Sequence, residues 1–276
     1  MKGYFINLDS SKDRLKTFDE RLIQLGFTRT SEHPIRWKKG DVEIERLVAV
    51  NGKVLSGSER KEYEPTERKF WDWTSHHLTA GELGCFLSHR HFWGKVVEEK
   101  LNFAFVLEDD MILSPEIVSF FESIDWIPKN ASFVKLDFSP VTKEHLYPVS
   151  EPLSHFCSRK IVRTVGRTYG TGCYVVSQQA ALSALKHSQK IPLPVDLFLF
   201  DARFEFAPTQ EIYCVFPALS LDDGGSTATI GGQRNKETLT LKQQVLKGVF
   251  SLLRRWRLKQ MMRKYHLHWE KESFRA

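Results

Sequence analysis

The chain has 276 residues, of which 41% are hydrophobic and 27% are charged, and its formal net charge is +6. This size and composition suit one large globular α/β domain, alone or with an appendage. No apolar run reaches about 18 residues and the apolar start is too short for a signal peptide, so we expect neither a membrane-spanning helix nor secretion. The four cysteines, Cys85, Cys157, Cys173 and Cys214, lack Cys-x-x-Cys spacing. We therefore expect them to be reduced and buried, as in a cytosolic protein.

The N-terminal segment has the pattern of a strand, a turn and a helix. Residues 4–8 are mostly apolar and predict a first strand, and residues 12–25 carry an apolar stripe that predicts a helix ending at Gly26. Residues 45–50 predict a second strand. This order is typical of nucleotide-binding α/β domains, although the chain has neither a Gly-x-Gly-x-x-Gly motif nor a Walker A motif.

A capping box formed by Thr79 and Glu82 predicts a helix over residues 79–99. Ser88 and His89 lie on this helix. A histidine in the middle of a helix is usually a packed, hydrogen-bonded residue, and the helical pattern alone gives His89 no further role.

An acidic triplet follows the most apolar of the predicted strands. Residues 103–107 predict a short strand buried on both faces, and Glu108, Asp109 and Asp110 follow it directly. Three adjacent carboxylates resist burial without a cation, and the carboxyl end of a strand is where ligands bind in open α/β sheets. The triplet therefore predicts a divalent cation that holds a diphosphate. A solvated acidic turn ahead of a helix near Pro115 is the alternative that this stretch leaves open.

The second half of the chain continues with strands and helices. The predicted strands are residues 132–138, which include Lys135, then residues 159–164, the glycine-hinged residues 169–177, and residues 211–217. The predicted helices are residues 115–123 and 178–188.

Three aspartates in this half are candidate functional groups. Asp196 is the charged residue of an apolar, proline-flanked run, so we expect a raised proton affinity that suits a general base. An N-cap role before a short helix is the competing interpretation. Asp222 and Asp223 precede a loop rich in glycine and hydroxyl groups, which predicts either a phosphate or metal contact or a linker.

The C-terminal segment is basic and has a helical pattern. From about Lys242 an apolar stripe occupies one helical face, formed by Val245, Val249, Leu252, Leu253 and Trp256. Basic residues follow, among them Arg257, Lys259, Arg263 and Lys264. We interpret this segment as one that binds an anionic membrane surface, the cytoplasmic leaflet. A helix packed on the domain is the alternative, and nucleic acid is disfavoured because no recognition motif is present.

Several motifs occur in the order found in one enzyme family. They are Ile6-Asn7-Leu8-Asp9 with Arg14, Ala49-Val50-Asn51-Gly52, Gly81-Glu82-Leu83-Gly84-Cys85-Phe86-Leu87-Ser88-His89, Val106-Leu107-Glu108-Asp109-Asp110, Tyr169-Gly170-Thr171-Gly172 and Pro194-Val195-Asp196. On these motifs the chain resembles glycosyltransferase family 25, the lipooligosaccharide galactosyltransferase-like family related to the collagen galactosyltransferases. The Gly-Glu-Leu-Gly-Cys and Leu-Glu-Asp-Asp blocks are specific in combination, whereas an acidic triplet alone is a weak signal.

The resemblance implies an α/β fold of GT-A type. A single nucleotide-sugar-binding domain, with a Rossmann-like mixed sheet flanked by helices, is expected over residues 1–238. A basic amphipathic helical tail is expected over residues 239–276. The resemblance also implies a UDP-sugar donor, usually UDP-galactose, a Mn²⁺ or Mg²⁺ ion, and inversion at the anomeric carbon.

The site residues follow from the same resemblance. Glu108 and Asp110 are expected at the metal as the family's form of the Asp-x-Asp motif, with Asp110 as a ligand and Glu108 acting through ribose, water or the metal. No late histidine is placed as a further ligand, and Asp223 or Asp222 is expected in its stead. Asp196 is the expected base, with Asp223 in reserve. The residues expected at the donor are Asn7, Asp9, Arg14, Asn51, Gly52, Ser88, His89, Glu108, Asp109 and Lys135. Asn51 departs from the family pattern, because relatives often carry Asp there.

Together these inferences predict a metal-dependent inverting glycosyltransferase. It is expected to move galactose from UDP-galactose onto a sugar hydroxyl of a lipid-linked bacterial lipooligosaccharide or lipopolysaccharide core. The expected location is the cytoplasm, peripherally on the inner face of the cytoplasmic membrane. The alternatives are a UDP-glucose or N-acetylhexosamine donor, a metal-dependent sugar-nucleotide hydrolase, and a non-catalytic glycan-binding protein.

Overall fold

The computed structural model describes residues 1–65, 78–138, 146–165, 168–223, 241–271 and 274. Its strands are β1 (Lys2–Asn7), β2 (Thr28–Glu32), β3 (Ile35–Lys39), β4 (Val42–Val48), β5 (Phe103–Glu108), β6 (Met111–Leu113), β7 (Phe133–Lys135), β8 (Asp137–Phe138), β9 (Leu146–Val149), β10 (Ser154–Phe156), β11 (Arg159–Arg163), β12 (Cys173–Ser177), β13 (Ile212–Phe216), β14 (Ser220–Asp222) and β15 (His268–Lys271). Its helices are α1 (Lys12–Gln24), α2 (Gly57–Tyr63), α3 (Ala80–Glu98), α4 (Ile117–Glu122), α5 (Gln178–His187), α6 (Val195–Phe200) and α7 (Leu241–Lys264).

A mixed sheet forms the centre of the molecule. In the part of the chain that the structure describes, ten strands pair in the order β10-β11-β13-β7-β12-β5-β1-β4-β3-β2. Strand β1 is parallel to both of its neighbours, β4 and β5, and β7 is parallel to β13. Strand β12 lies antiparallel between β5 and β7. The predicted class, a Rossmann-like mixed sheet flanked by helices, is confirmed.

Apolar side chains cover both faces of this sheet. On one face Tyr4 and Val106 join a core with residues of α3, α5 and α6. On the other face Phe5, Phe105 and Leu107 join a core with residues of α1 and α4. Strand β5 is almost continuously apolar because it is covered on both faces, as its sequence predicts.

A small second sheet lies next to the acidic triplet. Strand β14 pairs antiparallel with β6, so that Asp222 is opposite Met111, and it pairs in parallel with β8. The strand that carries Asp222 is therefore held beside the residue that follows Asp110.

Helix α3 begins as predicted and passes close to the loop after β4. Thr79 Oγ1 accepts a hydrogen bond from the Glu82 N–H at 3.2 Å, and Glu82 Oε2 accepts one from the Thr79 N–H at 2.8 Å. A Cβ at Gly84 would lie 2.6 Å from both the nitrogen of Gly52 and the oxygen of Val50. Packing alone therefore requires glycine at position 84.

Several observed elements differ from the predicted ones. The hairpin of β2 and β3 is not among the predicted elements, because its short strands are mostly polar and bury few side chains. The predicted strand over residues 132–138 is interrupted at Leu136, whose carbonyl accepts from the Leu219 N–H at 2.9 Å. The glycine-hinged strand begins only at Cys173, because Gly170 adopts a φ of +81° and turns the chain.

The C-terminal segment contains helix α7 and then strand β15, which was not predicted. Strand β15 pairs antiparallel with β9, and the Arg163 guanidinium lies 3.9 Å from the ring centroid of Tyr265. The end of the segment therefore contacts the rest of the fold. The apolar stripe on α7 faces solvent, and Val245, Leu252 and Trp256 are 61%, 65% and 61% exposed.

None of the described helices is long and apolar enough to cross a membrane. None of the four cysteines, all of which lie in the described residues, forms a disulfide bond; Cys173 and Cys214 are buried as predicted, and Cys85 is partly buried. The prediction is wrong for Cys157, which is exposed and has a φ of +51° in the turn between β10 and β11.

Candidate functional site

Polar side chains gather where β1 and β5 end. Asn7 is the last residue of β1, Glu108 is the last residue of β5, and Asp109 and Asp110 follow. From β1 the chain passes to the edge strand β2 and returns through β3 to β4 beside β1, and β5 then pairs with the other side of β1. The order of strands therefore reverses here, and such a reversal opens a crevice in which ligands bind.

Asp109 joins elements of the fold to one another. Its Oδ1 accepts a hydrogen bond from Arg14 Nη1 at 2.8 Å, and its Oδ2 accepts one from Asn7 Nδ2 at 2.8 Å. Arg46 donates to Asn7 Oδ1 at 3.1 Å and to Asp9 Oδ1 at 2.8 Å. Four of the residues predicted at the donor are thus brought into one network, in which Arg46 was not foreseen.

Glu108 is held through one of its two oxygens. Glu108 Oε1 lies 3.0 Å from His89 Nε2 and accepts a hydrogen bond from Thr171 Oγ1 at 2.8 Å. Burial acts to raise the pKa of Glu108, but the interactions with His89 and Thr171 outweigh it and leave the pKa below its ordinary value. No residue in the described ranges donates to Oε2, so the second oxygen is available to a ligand.

Asp110 is the electrostatically unfavourable member of the triplet. Burial raises its pKa to about 7, and the negative charges of Glu108, Asp222 and Asp109 act in the same direction. Arg14 Nη1 is 3.8 Å from Asp110 Oδ2, a longer distance than its contact with Asp109. The Asp110 side chain is 35% exposed, so it can reach a ligand from the crevice.

The two later aspartates have different partners. Asp223 Oδ2 accepts a hydrogen bond from Arg21 Nη2 at 2.7 Å, and its backbone N–H donates to the Asp110 carbonyl at 2.9 Å. Asp222 lies close enough for its charge to add to the burial that raises the pKa of Asp110. The structure therefore brings Asp222 to the triplet and ties the side chain of Asp223 to α1. The glycine-rich loop predicted after Asp223 lies outside the described residues.

The carboxylate oxygens of this cluster are of the chemical type that binds a divalent cation such as Mn²⁺ or Mg²⁺. Glu108 offers Oε2, Asp110 is a partly exposed carboxylate in excess negative charge, and Asp222 is a third carboxylate nearby. Carboxylate oxygens are the ligands that hard divalent cations prefer.

Lys135 is buried and paired. Its Nζ donates to Asp137 Oδ1 at 2.6 Å and to the Gly170 carbonyl at 2.9 Å. The Gly172 N–H donates to Asp137 Oδ2 at 3.2 Å. The ion pair therefore fixes the loop before β12, and a contact between Lys135 and the donor would have to replace one of these bonds.

Asp196 lies in the first turn of α6, beside the same loop. The N-cap of α6 is Pro194, so the N-cap interpretation of Asp196 is wrong. Asp196 Oδ1 accepts a hydrogen bond from the Leu197 N–H at 2.8 Å, and the Gly170 N–H also bonds to this carboxylate. Burial raises the pKa of Asp196, which is the direction that a general base needs.

The thiol of Cys85 lies near three of these carboxylates. Burial raises the pKa of Cys85, and the charges of Glu108, Asp196 and Asp110 raise it further. Cys85, His89 and Glu108 also place ligand atoms within 4.8 Å of one another. This group is poorly suited to hold an ion, because the thiol is protonated and both ring nitrogens of His89 are engaged.

Three more of the predicted donor residues shape the loop after β4. Ser88 Oγ accepts a hydrogen bond from the Val50 N–H at 2.9 Å and so ties this loop to α3. Asn51 Oδ1 accepts one from the Lys53 N–H at 3.1 Å, which closes a turn. A Cβ at Gly52 would lie 1.7 Å from a backbone oxygen of α3, so only glycine fits.

Three residues that support Glu108 were not predicted: Thr171 donates to it, and Tyr174 and Trp93 lie behind His89 in one series of hydrogen bonds. Thr171 lies in one of the quoted motifs but had no assigned role, and Trp93 and Tyr174 lie in apolar runs. The signal that exposes Tyr174 is the pairing of β12 with β5, which places it opposite Val106, two residues before Glu108. That pairing is antiparallel and long-range, and the sequence pattern does not specify it.

Comparison with known proteins relates this site to a family. The chain matches the family described as Glycosyltransferase family 25 (LPS biosynthesis protein) over residues 1–199. A "Glycosyltransferase 25 family member" of Drosophila melanogaster is 28% identical over 226 residues, which are 79% of this chain and 36% of that protein. The lipooligosaccharide biosynthesis protein lic2B of Haemophilus influenzae is 27% identical over 160 residues, 53% of this chain and 56% of that protein. Procollagen galactosyltransferase 2 of Homo sapiens is 32% identical over 112 residues, 39% of this chain and 15% of that protein.

The chain thus spans about a third of the Drosophila relative and just over half of the Haemophilus relative. A solved glycosyltransferase involved in the glycosylation of the major capsid of PBCV-1 aligns with 82% of this chain and 93% of its own, at 12% identity. Its TM-score of 0.42 is too low to carry weight. The family match covers the strands β1, β4 and β5, the acidic triplet and Asp196. The chain therefore belongs to glycosyltransferase family 25.

Proposed function

We propose that this glycosyltransferase is a metal-dependent, inverting enzyme of GT-A type. Its proposed donor is UDP-galactose, and its proposed acceptor is a sugar hydroxyl of a lipid-linked lipooligosaccharide or lipopolysaccharide core. The acceptor class is supported by the Haemophilus influenzae relatives, which are named as lipooligosaccharide biosynthesis proteins. The donor is supported by the human relative, which is named as a galactosyltransferase.

The observation that carries the proposal is the pair of carboxylates at the end of β5. Glu108 is ionised and held through Oε1, whereas Asp110 has a pKa of about 7 and remains partly exposed. Glu108 and Asp110, with Asp222, would hold a Mn²⁺ or Mg²⁺ ion through oxygen atoms. When bound, such an ion supplies charge stabilisation for the diphosphate leaving group.

Asp196 is the proposed general base. The acceptor hydroxyl must lose a proton as it attacks the anomeric carbon from the face opposite the diphosphate. Asp196 lies near Cys85, as do Glu108 and Asp110, and backbone N–H groups of Leu197 and Gly170 hold its carboxylate in place. Asp223, the reserve candidate, is paired with Arg21, which favours Asp196.

The residues predicted at the donor divide into two groups by burial. Asp9 and Arg14 have exposed side-chain surface, and we assign them direct contact with the donor together with Asn51. Ser88 and Lys135 are 2% and 1% exposed, and we assign them an indirect role through the loops that they hold.

We also propose that the protein binds peripherally to the cytoplasmic face of the membrane through α7. The exposed stripe of this helix consists of Val245, Val249, Leu252, Leu253 and Trp256. The exposed cations Lys259, Arg263 and Lys264 follow along the same helix. An apolar stripe next to basic residues favours an anionic lipid surface, and it would bring the cleft to a lipid-linked acceptor.

A transfer assay tests the proposed reaction. The protein is incubated with radiolabelled UDP-galactose, Mn²⁺ and a lipooligosaccharide that lacks its terminal sugars. The proposal expects label in the glycolipid, and none when Mn²⁺ is removed. Release of free galactose at the same rate with and without acceptor would support the sugar-nucleotide hydrolase instead. If neither UDP-galactose nor another UDP-sugar tested in its place is turned over, the result would support the non-catalytic glycan-binding protein.

A further inference from the structure

A buried chain of hydrogen bonds leads from the core of the protein to Glu108. Trp93 Nε1 donates to the Tyr174 hydroxyl at 2.9 Å, the hydroxyl lies 3.0 Å from His89 Nδ1, and His89 Nε2 lies 3.0 Å from Glu108 Oε1. Trp93, Tyr174 and His89 are each 0% exposed. The chain thus joins α3 to β12 and β5, and it ends at a carboxylate that borders the crevice.

The donors and acceptors determine the direction of this chain. An indole N–H only donates, so the Tyr174 oxygen accepts from Trp93 and its own proton is available to His89. When Nδ1 of His89 accepts that proton, the ring carries its hydrogen on Nε2 and donates it to Glu108. In this tautomer every polar hydrogen of the chain has an acceptor, which is how ring tautomers are assigned from a network.

Both donors to Glu108 bind the same oxygen. His89 Nε2 and Thr171 Oγ1 converge on Oε1 from α3 and from the loop before β12. With Oε1 fixed at two points, the carboxylate cannot rotate without breaking a buried hydrogen bond. The second oxygen accepts no hydrogen bond from the described residues, and the Glu108 side chain is 23% exposed, so this oxygen is the one we assign to the ligand expected at the acidic triplet.

We propose that His89 is a positioning residue for Glu108, oriented by Tyr174 and Trp93. This inference rests on the proposed function for the cation and the nucleotide sugar, but the direction of the hydrogen-bond chain is independent of it. His89 was predicted to contact the nucleotide sugar, whereas this inference assigns it to the support of Glu108, a proposed cation ligand. Loss of such an outer partner typically weakens metal affinity or activity by about 10–100-fold.

Substitutions along the chain separate positioning from packing. His89→Leu removes the donor to Glu108, and Tyr174→Phe removes one oxygen while the ring remains in the core. His89→Gln keeps an amide N–H that can reach Glu108. Trp93→Phe is matched by Trp126→Phe, which removes another buried indole hydrogen bond, to the Phe120 carbonyl at 2.8 Å, in the opposite core.

The first measurement is calorimetric titration of UDP in the presence of Mn²⁺. We expect His89→Leu and Tyr174→Phe to weaken binding by about 10–100-fold, and Trp93→Phe to weaken it to a smaller extent. His89→Gln should bind more like the wild type than like His89→Leu, and Trp126→Phe should bind like the wild type. If His89→Leu folds and binds as tightly as the wild type, or if His89→Gln fails to recover any affinity, the positioning role is overturned.

The second measurement needs no metal or nucleotide. Long-range ¹H–¹⁵N spectra of histidine rings report which ring nitrogen carries the hydrogen, and the His89 signals are those missing from His89→Gln. We expect the Nε2–H tautomer in the wild type and also in Tyr174→Phe, because ionised Glu108 only accepts hydrogen bonds, and in Tyr174→Phe we expect the Nδ1 signal to shift because that nitrogen loses its hydrogen-bond donor. An Nδ1–H tautomer in the wild type would overturn the inference. If the wild type shows the Nε2–H tautomer but binds no nucleotide with Mn²⁺, the proposed function fails while the hydrogen-bond chain stands.

Discussion

Arg14 Nη1 and Asp109 Oδ1 lie 2.8 Å apart, and this ion pair gives the middle carboxylate of the acidic triplet a different role from its neighbours. Asp109 connects α1 to the ends of β1 and β5. Glu108 is ionised and is oriented by His89 and Thr171, and Asp110 has a raised pKa of about 7. The triplet is therefore one structural carboxylate between two that can bind a ligand.

Substitution of adjacent aspartates tests this division. We expect Asp109→Ala to lower the free energy of unfolding by about 1–3 kcal/mol, because it removes the acceptor of two partly buried hydrogen bonds. Asp110→Ala is the matched variant, and at about pH 8 it should not destabilise the metal-free protein, because it removes a carboxylate that its neighbours repel. Urea denaturation followed by circular dichroism measures both values. An equal loss of stability in the two variants would contradict the division.

The raised pKa of Asp110 predicts how stability and cation binding depend on pH. The folded-state pKa of about 7 exceeds the ordinary value of 3.8, so between these values the folded metal-free protein binds more protons than the unfolded chain. The contribution of this carboxyl to stability is therefore present below about pH 4 and is lost as the pH rises through about 7. Cation binding has the opposite dependence, because a cation competes with the proton.

We expect the affinity for Mn²⁺ to rise as the pH increases through about 7, with release of up to about one proton per ion. Calorimetry in buffers of different ionisation enthalpy measures the proton release. Asp110→Asn, which cannot ionise, should lose both the affinity and the pH dependence. Affinity that stays constant across this range in the wild type would show that Asp110 does not ionise on binding.

The identity of the base can be tested by kinetics. Asp196→Asn should lower kcat by about 10²–10⁴-fold, because the amide cannot accept the acceptor's proton. Binding of UDP with Mn²⁺ should remain, since Asp196 acts on the acceptor. Asp223→Asn is the comparison, and we expect it to lower kcat far less. Retained turnover in Asp196→Asn together with lost turnover in Asp223→Asn would assign the base to Asp223.

Vesicle flotation tests the role of α7. We expect the protein to bind vesicles that contain phosphatidylglycerol and not neutral vesicles, and to dissociate at high salt. The double variant Leu252→Ser, Trp256→Ser should lower binding by about tenfold or more, because burial of each large apolar side chain contributes about 1.5–3 kcal/mol. Leu182 on α5 is 56% exposed, and Leu182→Ser serves as the control. Equal binding by both variants would show that α7 is not the contact.

Local signals account for the parts of the fold that the sequence predicts well. The capping box of Thr79 and Glu82 and the apolar run of β5 depend on residues close together in the chain, and both elements were predicted within one or two residues. The hairpin of β2 and β3 was missed because its polar edge strands carry little pattern. Strand β15 was missed because it exists through pairing with β9, more than a hundred residues earlier.

The site follows the same rule. The acidic triplet was found because three adjacent carboxylates after an apolar strand are a local signal. The structural role of Asp109 within the triplet was not predicted, because its hydrogen bonds come from Arg14 and Asn7, which lie 95 and 102 positions away in the sequence. The contact of His89 with Tyr174, 85 positions away, was hidden in the same manner. The sequence therefore identified the candidate site residues more readily than the separate role of each one.

The central claim is that Glu108 and Asp110 bind a divalent cation that holds a nucleotide sugar. The most direct measurement is a calorimetric titration of a panel of UDP-sugars, with and without Mn²⁺, into the wild type and Asp110→Ala. We predict that UDP-galactose binds only with Mn²⁺, and that this binding is lost in Asp110→Ala. Binding that ignores both Mn²⁺ and Asp110, or no binding of any UDP-sugar, would contradict the claim.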